Sequence, residues 1–142
     1  MGRAMDVCAI RRVSIDLDEA WTEPDDRDKV RVLLVTPDGD LRAVLRRVLE
    51  GRGYAVADAA HSGHALLACM TDRRIDVALV ECLLEDISGP ELAAKLRRHQ
   101  PALRSAFLAD PGMPAVPDQI VRPFDADVLF DAIDALTSLA AS

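Results

Sequence analysis

Few side chains in this sequence of 142 residues are both reactive and placed where a fold would present them. Glu81 follows the apolar run 75–80, and Arg122 closes the short run 119–122 before Pro123. A carboxylate and a guanidinium at two such ends can form a charge-assisted pair. Cys82 adjoins Glu81, and its thiol becomes redox-sensitive if Arg122 lowers its pKa; otherwise it is an unreactive loop cysteine. His61 and His64 stand three apart across a helix start and could touch one metal ion, but Cys69 is too far round to complete a set. Structural zinc wants four ligands, so both histidines read as solvent-facing and no metal is expected. Pro111, Pro114 and Pro117 recur every third residue, the period of polyproline II, and suit either a rigid bridge or a docking ligand for an aromatic groove.

The elements that must position these groups can be read from period and punctuation. Residues 30–35 form an apolar, β-branched run that ends in Pro37-Asp38-Gly39, as a buried strand does before a loop. Leu41, Val44, Leu45, Val48 and Leu49 then keep helical spacing until Gly51 and Gly53. Residues 54–59 read as a second strand, and a second helix opens at Ser62 or Gly63 carrying Leu66, Leu67 and Met70. A third strand, 75–80, ends at Glu81. Pro90 sits in the first turn of a helix with Leu92, Ala93 and Leu96 as its buried stripe. Residues 106–109 and 119–122 are the fourth and fifth strands. Asp125 caps a last helix with Val128, Leu129, Ala132, Ile133 and Leu136. Strands alternating with helices predict an α/β fold: a doubly wound, five-stranded parallel sheet whose crevice lies at the carboxyl ends of the strands.

Composition narrows the function classes. The length allows one domain, residues 30–142, after an acidic N-terminal tail, residues 1–29. Half the residues are hydrophobic and only 4% aromatic, so the core is aliphatic. Acids outnumber bases 24 to 17, for a net charge of −7, which argues against nucleic acid and anionic membranes as partners. No window reaches the roughly 18 apolar residues of a membrane span. Three cysteines without a CxxC pair and no apolar N-terminal signal predict a cytoplasmic protein. In the tail, Val13, Ile15 and Leu17 alternate with Ser14, Asp16 and Asp18. That period suits a short strand on a sheet edge of its own or a neighbouring molecule, and the alternative is a solvated acidic leader.

Laid out this way, residues 30–142 resemble the receiver domain of bacterial response regulators, the flavodoxin-like module that a sensor histidine kinase phosphorylates on aspartate. VRVLLVTPDGDLRAVLRRVLEGRGYAVADA is similar to that family's first strand, helix and second strand. IDVALVECLLEDISGPELAAKLRR is similar to its third strand, active-site loop and third helix, and VRPFDADVLFDAI to its closing Lys-Pro-Phe and last helix. The resemblance implies strand order 2-1-3-4-5 and a place in two-component regulation.

Each position that does the family's chemistry carries another residue here. The acidic pair that binds Mg²⁺ is matched by Thr36 and Pro37, with only Asp38 beside them, and a proline side chain offers no hard oxygen. Glu81 stands for the phosphoacceptor Asp and would misalign an in-line transfer by one methylene. Ala109 replaces the switch hydroxyl, Arg122 the family Lys, and Gln119 the switch aromatic. The expectation is a pseudo-receiver, with no catalytic residues and no cofactor, in which Glu81 is either a permanent imitation of the phosphorylated state or half of a structural ion pair.

Only nine residues, 110–118, join the fourth and fifth strands, too few for a crossover with its helix. The family's fourth helix is therefore expected to be replaced by an extended, stiff loop, since nine polyproline residues reach about 28 Å against a strand of roughly 17 Å. Such a loop would expose Phe107 or Ile120, or leave them to the tail or a second subunit. The expected partner surface comprises Phe107, Pro111, Met113, Pro114, Pro117, Ile120 and Phe124. With no output domain after the last helix, signalling by contact with a protein, such as a sensor kinase, another regulator or a second copy in a homodimer, is the leading expectation. The alternatives are a divergent receiver phosphorylated on Asp38, Asp86 or another acid, and a thiol sensor using Cys82.

Overall fold

The computed structural model describes residues 29–71 and 74–141. The N-terminal alternation at 13–17 lies outside the described residues. The elements run β1 (Arg31–Val35), α1 (Gly39–Gly51), β2 (Ala55–Ala59), α2 (Ser62–Thr71), β3 (Val77–Glu81), α3 (Gly89–His99), β4 (Arg104–Ala109), β5 (Gln119–Val121) and α4 (Ala126–Ala141). The sheet is wholly parallel, as the alternation of strands and helices predicts, and runs in the order β2-β1-β3-β4-β5 that the resemblance implies.

The three central strands are covered on both sides, which is why they read as unbroken apolar runs rather than as alternations. Leu33, Val35, Ala78, Val80 and Phe107 pack under α2 and α3. Val32, Leu34, Leu79, Leu108 and Ile120 pack under α1 and α4. Caps fix where the helices begin: Asp38 Oδ1 accepts from the Leu41 N–H at 3.1 Å, Ser88 Oγ from Glu91, and Asp125 Oδ1 from Val128.

The helix faces differ in detail from the expected stripes. On α1, Leu45 and Leu49 are buried but Val44 is exposed. On α2, Leu67 and Met70 point outward, and Ala65 and Cys69 form the buried stripe. A helix lying close on Ala57, Ala59 and α3 admits only small side chains, so the apolar moment of the sequence points the wrong way.

Between β4 and β5 there is no helix. The connection is not the uniformly extended rod expected of three spaced prolines, however. It turns at once, with the Met113 N–H donating to the Asp110 carbonyl and Gly112 at φ +91°. The Gln119 side chain then pins it by donating to the Pro114 carbonyl at 3.0 Å. So short a return suffices because β5 has only three residues and pairs only with Phe107–Ala109. Phe107 and Ile120 are not exposed: Val116 of the loop packs into the cluster that holds Phe107, and α4 covers Ile120. The expectation that the loop would bare them is corrected on that ground.

Gly89 is a fixed point of this packing. Its N–H donates to the Cys82 carbonyl, and a Cβ there would collide with the Glu81 carbonyl and press on Phe107 Cδ1 at 3.1 Å. Gly89→Ala is expected to cost about 1–3 kcal/mol in urea unfolding. Gly51→Ala, where a Cβ meets nothing, is expected to be neutral or stabilising. Equal stability of the two variants would contradict this packing.

Candidate functional site

The carboxyl ends of β1, β3 and β4 and the residue after β5 bring Thr36, Glu81, Ala109 and Arg122 to one end of the sheet. Glu81 ends the most buried strand, with 11% of its side chain exposed. A carboxylate there needs compensation. Arg122 supplies it as a fork, Nη2 to Oε1 at 2.9 Å and Nη1 to Oε2 at 3.1 Å. The buried Thr36 hydroxyl donates to Oε2 at 2.9 Å and accepts from the Asp38 N–H. The Thr36 carbonyl in turn accepts from Arg42 Nη1 at 2.8 Å.

Arg122 Nε donates to Asp110 Oδ1 at 2.9 Å, so one guanidinium joins two carboxylates. Its hydrogen bonds to Glu81 hold the Arg122 pKa above its ordinary value. Partial burial pulls the other way, and Asp110 adds to the rise. Arg122 is thus a fixed positive charge at any physiological pH.

Asp110 and Arg42 hold the site together and were not assigned a role from sequence. Asp110 stands at a strand end that the sequence marks, but only the turn of the loop brings it to Arg122. Nothing local in the sequence shows Arg42 reaching back from α1 to a strand end.

The side chains of the other marked residues stand apart from this network. Asp38 is exposed and spent on the cap of α1, and Pro37 is exposed. Asp86 accepts from Ser62 Oγ at 2.7 Å, beside a cavity of about 450 Å³ that also borders Pro37 and His61. The rings of His61 and His64 stack at 4.2 Å on the surface. Cys82 Sγ lies 3.7 Å from Gln119 Nε2, while Arg122 directs its donors to carboxylates instead.

These residues do not fit a divalent cation. Mg²⁺ takes oxygen ligands in octahedral array, yet both Glu81 oxygens face a guanidinium, Thr36 is committed to Glu81, and Pro37 has no donor. Among the described residues no group of three His, Cys, Asp or Glu is arranged to hold a metal.

Removing one partner of a largely buried pair leaves an uncompensated charge, so Arg122→Met is expected to destabilise the fold by about 3 kcal/mol. Asp110→Asn, whose own side chain is 59% exposed in the native pair, is expected to cost under about 1 kcal/mol. Chemical denaturation of both variants checks the ranking, and a larger loss for Asp110→Asn would contradict it.

Comparison with known proteins agrees with this architecture. The chain matches the family model described as the response regulator receiver domain over residues 32–134. It is 30% identical over 119 residues to the transcriptional regulatory protein TcrA of Mycobacterium tuberculosis (strain H37Rv), covering 76% of this chain and 46% of that protein. It is 27% identical over 114 residues to the transcriptional regulatory protein GlrR of Escherichia coli (strain K12), covering 72% of this chain and 25% of that protein. The chain therefore spans less than half the length of these relatives. Among solved structures, a CheY-like receiver domain protein from Methanospirillum hungatei JF-1 superposes with a TM-score of 0.70 at 22% identity, over 80% of this chain and 97% of that one, a likeness of fold. The receiver domain of the hybrid histidine kinase CckA gives 0.66 at 26% identity, over 75% and 97%. With the parallel 2-1-3-4-5 sheet and a charged site at its carboxyl end, the chain belongs to the response regulator receiver domain family.

Proposed function

We propose that this receiver domain signals without an aspartyl-phosphate cycle, as a pseudo-receiver that acts by protein contact and is not an enzyme. The observation that carries the reading is the fork of Arg122 on Glu81. Phosphoryl transfer to a receiver needs a carboxylate free to attack in line and positive charge free to meet the incoming phosphoryl oxygens. Here each group satisfies the other. Ala109 offers no hydroxyl to a phosphoryl group, and Thr36 and Pro37 offer no metal carboxylate. The site holds one charge-neutralised arrangement, and the domain rests in the single state that this arrangement sets.

The output surface, on this reading, is the outer side of β5 and the start of α4. Val121 and Val128 are exposed, Phe124 is half-buried, and Pro111, Pro114 and Pro117 are exposed in the preceding loop with a half-buried Met113. Exposed apolar side chains grouped beside a rigid loop suit a protein partner, a regulator or a second copy. Phe107 and Ile120 support that surface from beneath. No helix of the described residues is long and apolar enough to cross a membrane. The family's two-component role favours a cytoplasmic setting, and relatives that are transcriptional regulatory proteins favour a place in the control of transcription.

The test is incubation of the purified chain with acetyl phosphate and Mg²⁺, followed by intact-mass measurement. The expected spectrum is unchanged, both for the wild type and for Glu81→Asp, because restoring the acceptor restores neither Thr36 nor Pro37 to an acid. A gain of one phosphoryl group by the wild type would overturn the reading, and its location by peptide mapping would say whether Asp38 or Asp86 carries it.

A further inference from the structure

Where β5 stops short, β4 keeps an open edge. Phe107 is the lowest β4 residue paired with β5, and among the described residues no strand lies beside Arg104–Ala106 on that side. The Arg104 N–H donates toward β3, to the Asp76 carbonyl, and the Phe107 N–H donates toward β5, to Asp118. By the alternation of a strand, the Ser105 N–H and C=O point to the open side. Ser105 is 7% exposed, and its Oγ finds no hydrogen-bond partner among the described residues.

A groove of about 380 Å³ opens over this edge. Its wall is apolar, formed by Ala93 of α3, Phe107 of β4, and Val116 and Pro117 of the loop. Its mouth carries Arg97 and Arg104, with Asp118 as the one acid. Neither arginine forms an ion pair with a described residue.

We propose that residues 13–17 of this same chain dock in the groove as a short edge strand, with Val13, Ile15 and Leu17 against the apolar wall and Ser14 and Asp16 on the opposite face. Three properties of the segment argue for it. Its period of two puts three branched apolar residues on one side, which an edge beside an apolar groove accepts and a helix does not. The charge of its C-terminal end is complementary: Asp16, Asp18 and Glu19 are acids against the two arginines of the mouth, while Arg11 and Arg12 precede the segment at its other end. Arg104 shares a face with Ala106 and Leu108, opposite Phe107, and so lies on the side to which Asp16 is assigned.

Its tether also reaches. The described chain begins at Lys29, at the foot of β1, and β1, β3 and β4 are successive neighbours. The open edge is therefore three strand spacings away, about 14 Å. The twelve residues from Leu17 to Lys29 span up to about 40 Å when extended. Docked there, the segment would fill the side of β4 that the three-residue β5 leaves without a strand.

Amide hydrogen exchange on the full chain, read by peptide mass spectrometry over residues 13–17 and 103–108, tests this. In the wild type both peptides are expected to exchange at least tenfold more slowly than unprotected amides, independently of protein concentration. Ile15→Asp should abolish the protection of 13–17 and weaken that of Ser105, with β1 and β3 unchanged. Arg104→Glu should weaken both, and Arg104→Glu combined with Asp16→Arg should restore them. Exchange of 13–17 at the unprotected rate in the wild type would overturn the proposal, as would indifference to Ile15→Asp. Protection that rises with concentration would overturn it in favour of a second copy's segment.

Discussion

A carboxylate at the end of the most buried strand of a parallel sheet must find positive charge nearby or give up its own. Glu81 is in that position, and the rest of the site is arranged around the answer to it. Arg122 must lie one residue past β5 for its fork to reach back across β4, so the place of the fifth strand and the charge balance of the third are one problem. Thr36 supplies the remaining hydrogen bond from β1, and Arg42 secures the backbone that carries Thr36. Such a pair adds little net stability over an apolar substitute, but it fixes which arrangement the strand ends adopt.

The same economy shapes the edge of the sheet. A full crossover helix would need more chain than the nine residues between β4 and β5, and shortening β5 to three residues removes the need for it. What remains is a pinned loop that covers Phe107 with Val116 and leaves the lower half of β4 without a strand neighbour on its β5 side among the described residues. Loss of the helix does not bare the core. It moves the open surface to Val121 and Val128 and to the groove below β5.

Most element positions were legible because buried parallel strands announce themselves as apolar runs and helices by their spacing and caps, as at Asp125, whereas the strand order came from the resemblance to the receiver family. The Glu81–Arg122 pairing was legible as a possibility, since both residues end strands on the same side of the fold. The roles of Asp110 and Arg42 were not, because each depends on a turn or a side-chain path that leaves no local pattern. The burial of Phe107 and Ile120 was missed for a related reason: which face of a strand is covered depends on a neighbour distant in sequence. On α2 the hydrophobic scale itself misled, because small Ala65 and Cys69 permit close approach whereas larger Leu67 and Met70 do not.

In the pseudo-receiver proposed here a guanidinium, not a metal ion, compensates the Glu81 carboxylate. The most direct measurement is a Mg²⁺ titration followed by the backbone amide resonances of Thr36, Glu81, Cys82 and Arg122. These resonances are expected to stay in place through millimolar Mg²⁺, apart from the small uniform drift of ionic strength. A saturable shift confined to these four would show that a cation displaces Arg122 from Glu81, and would contradict the proposal.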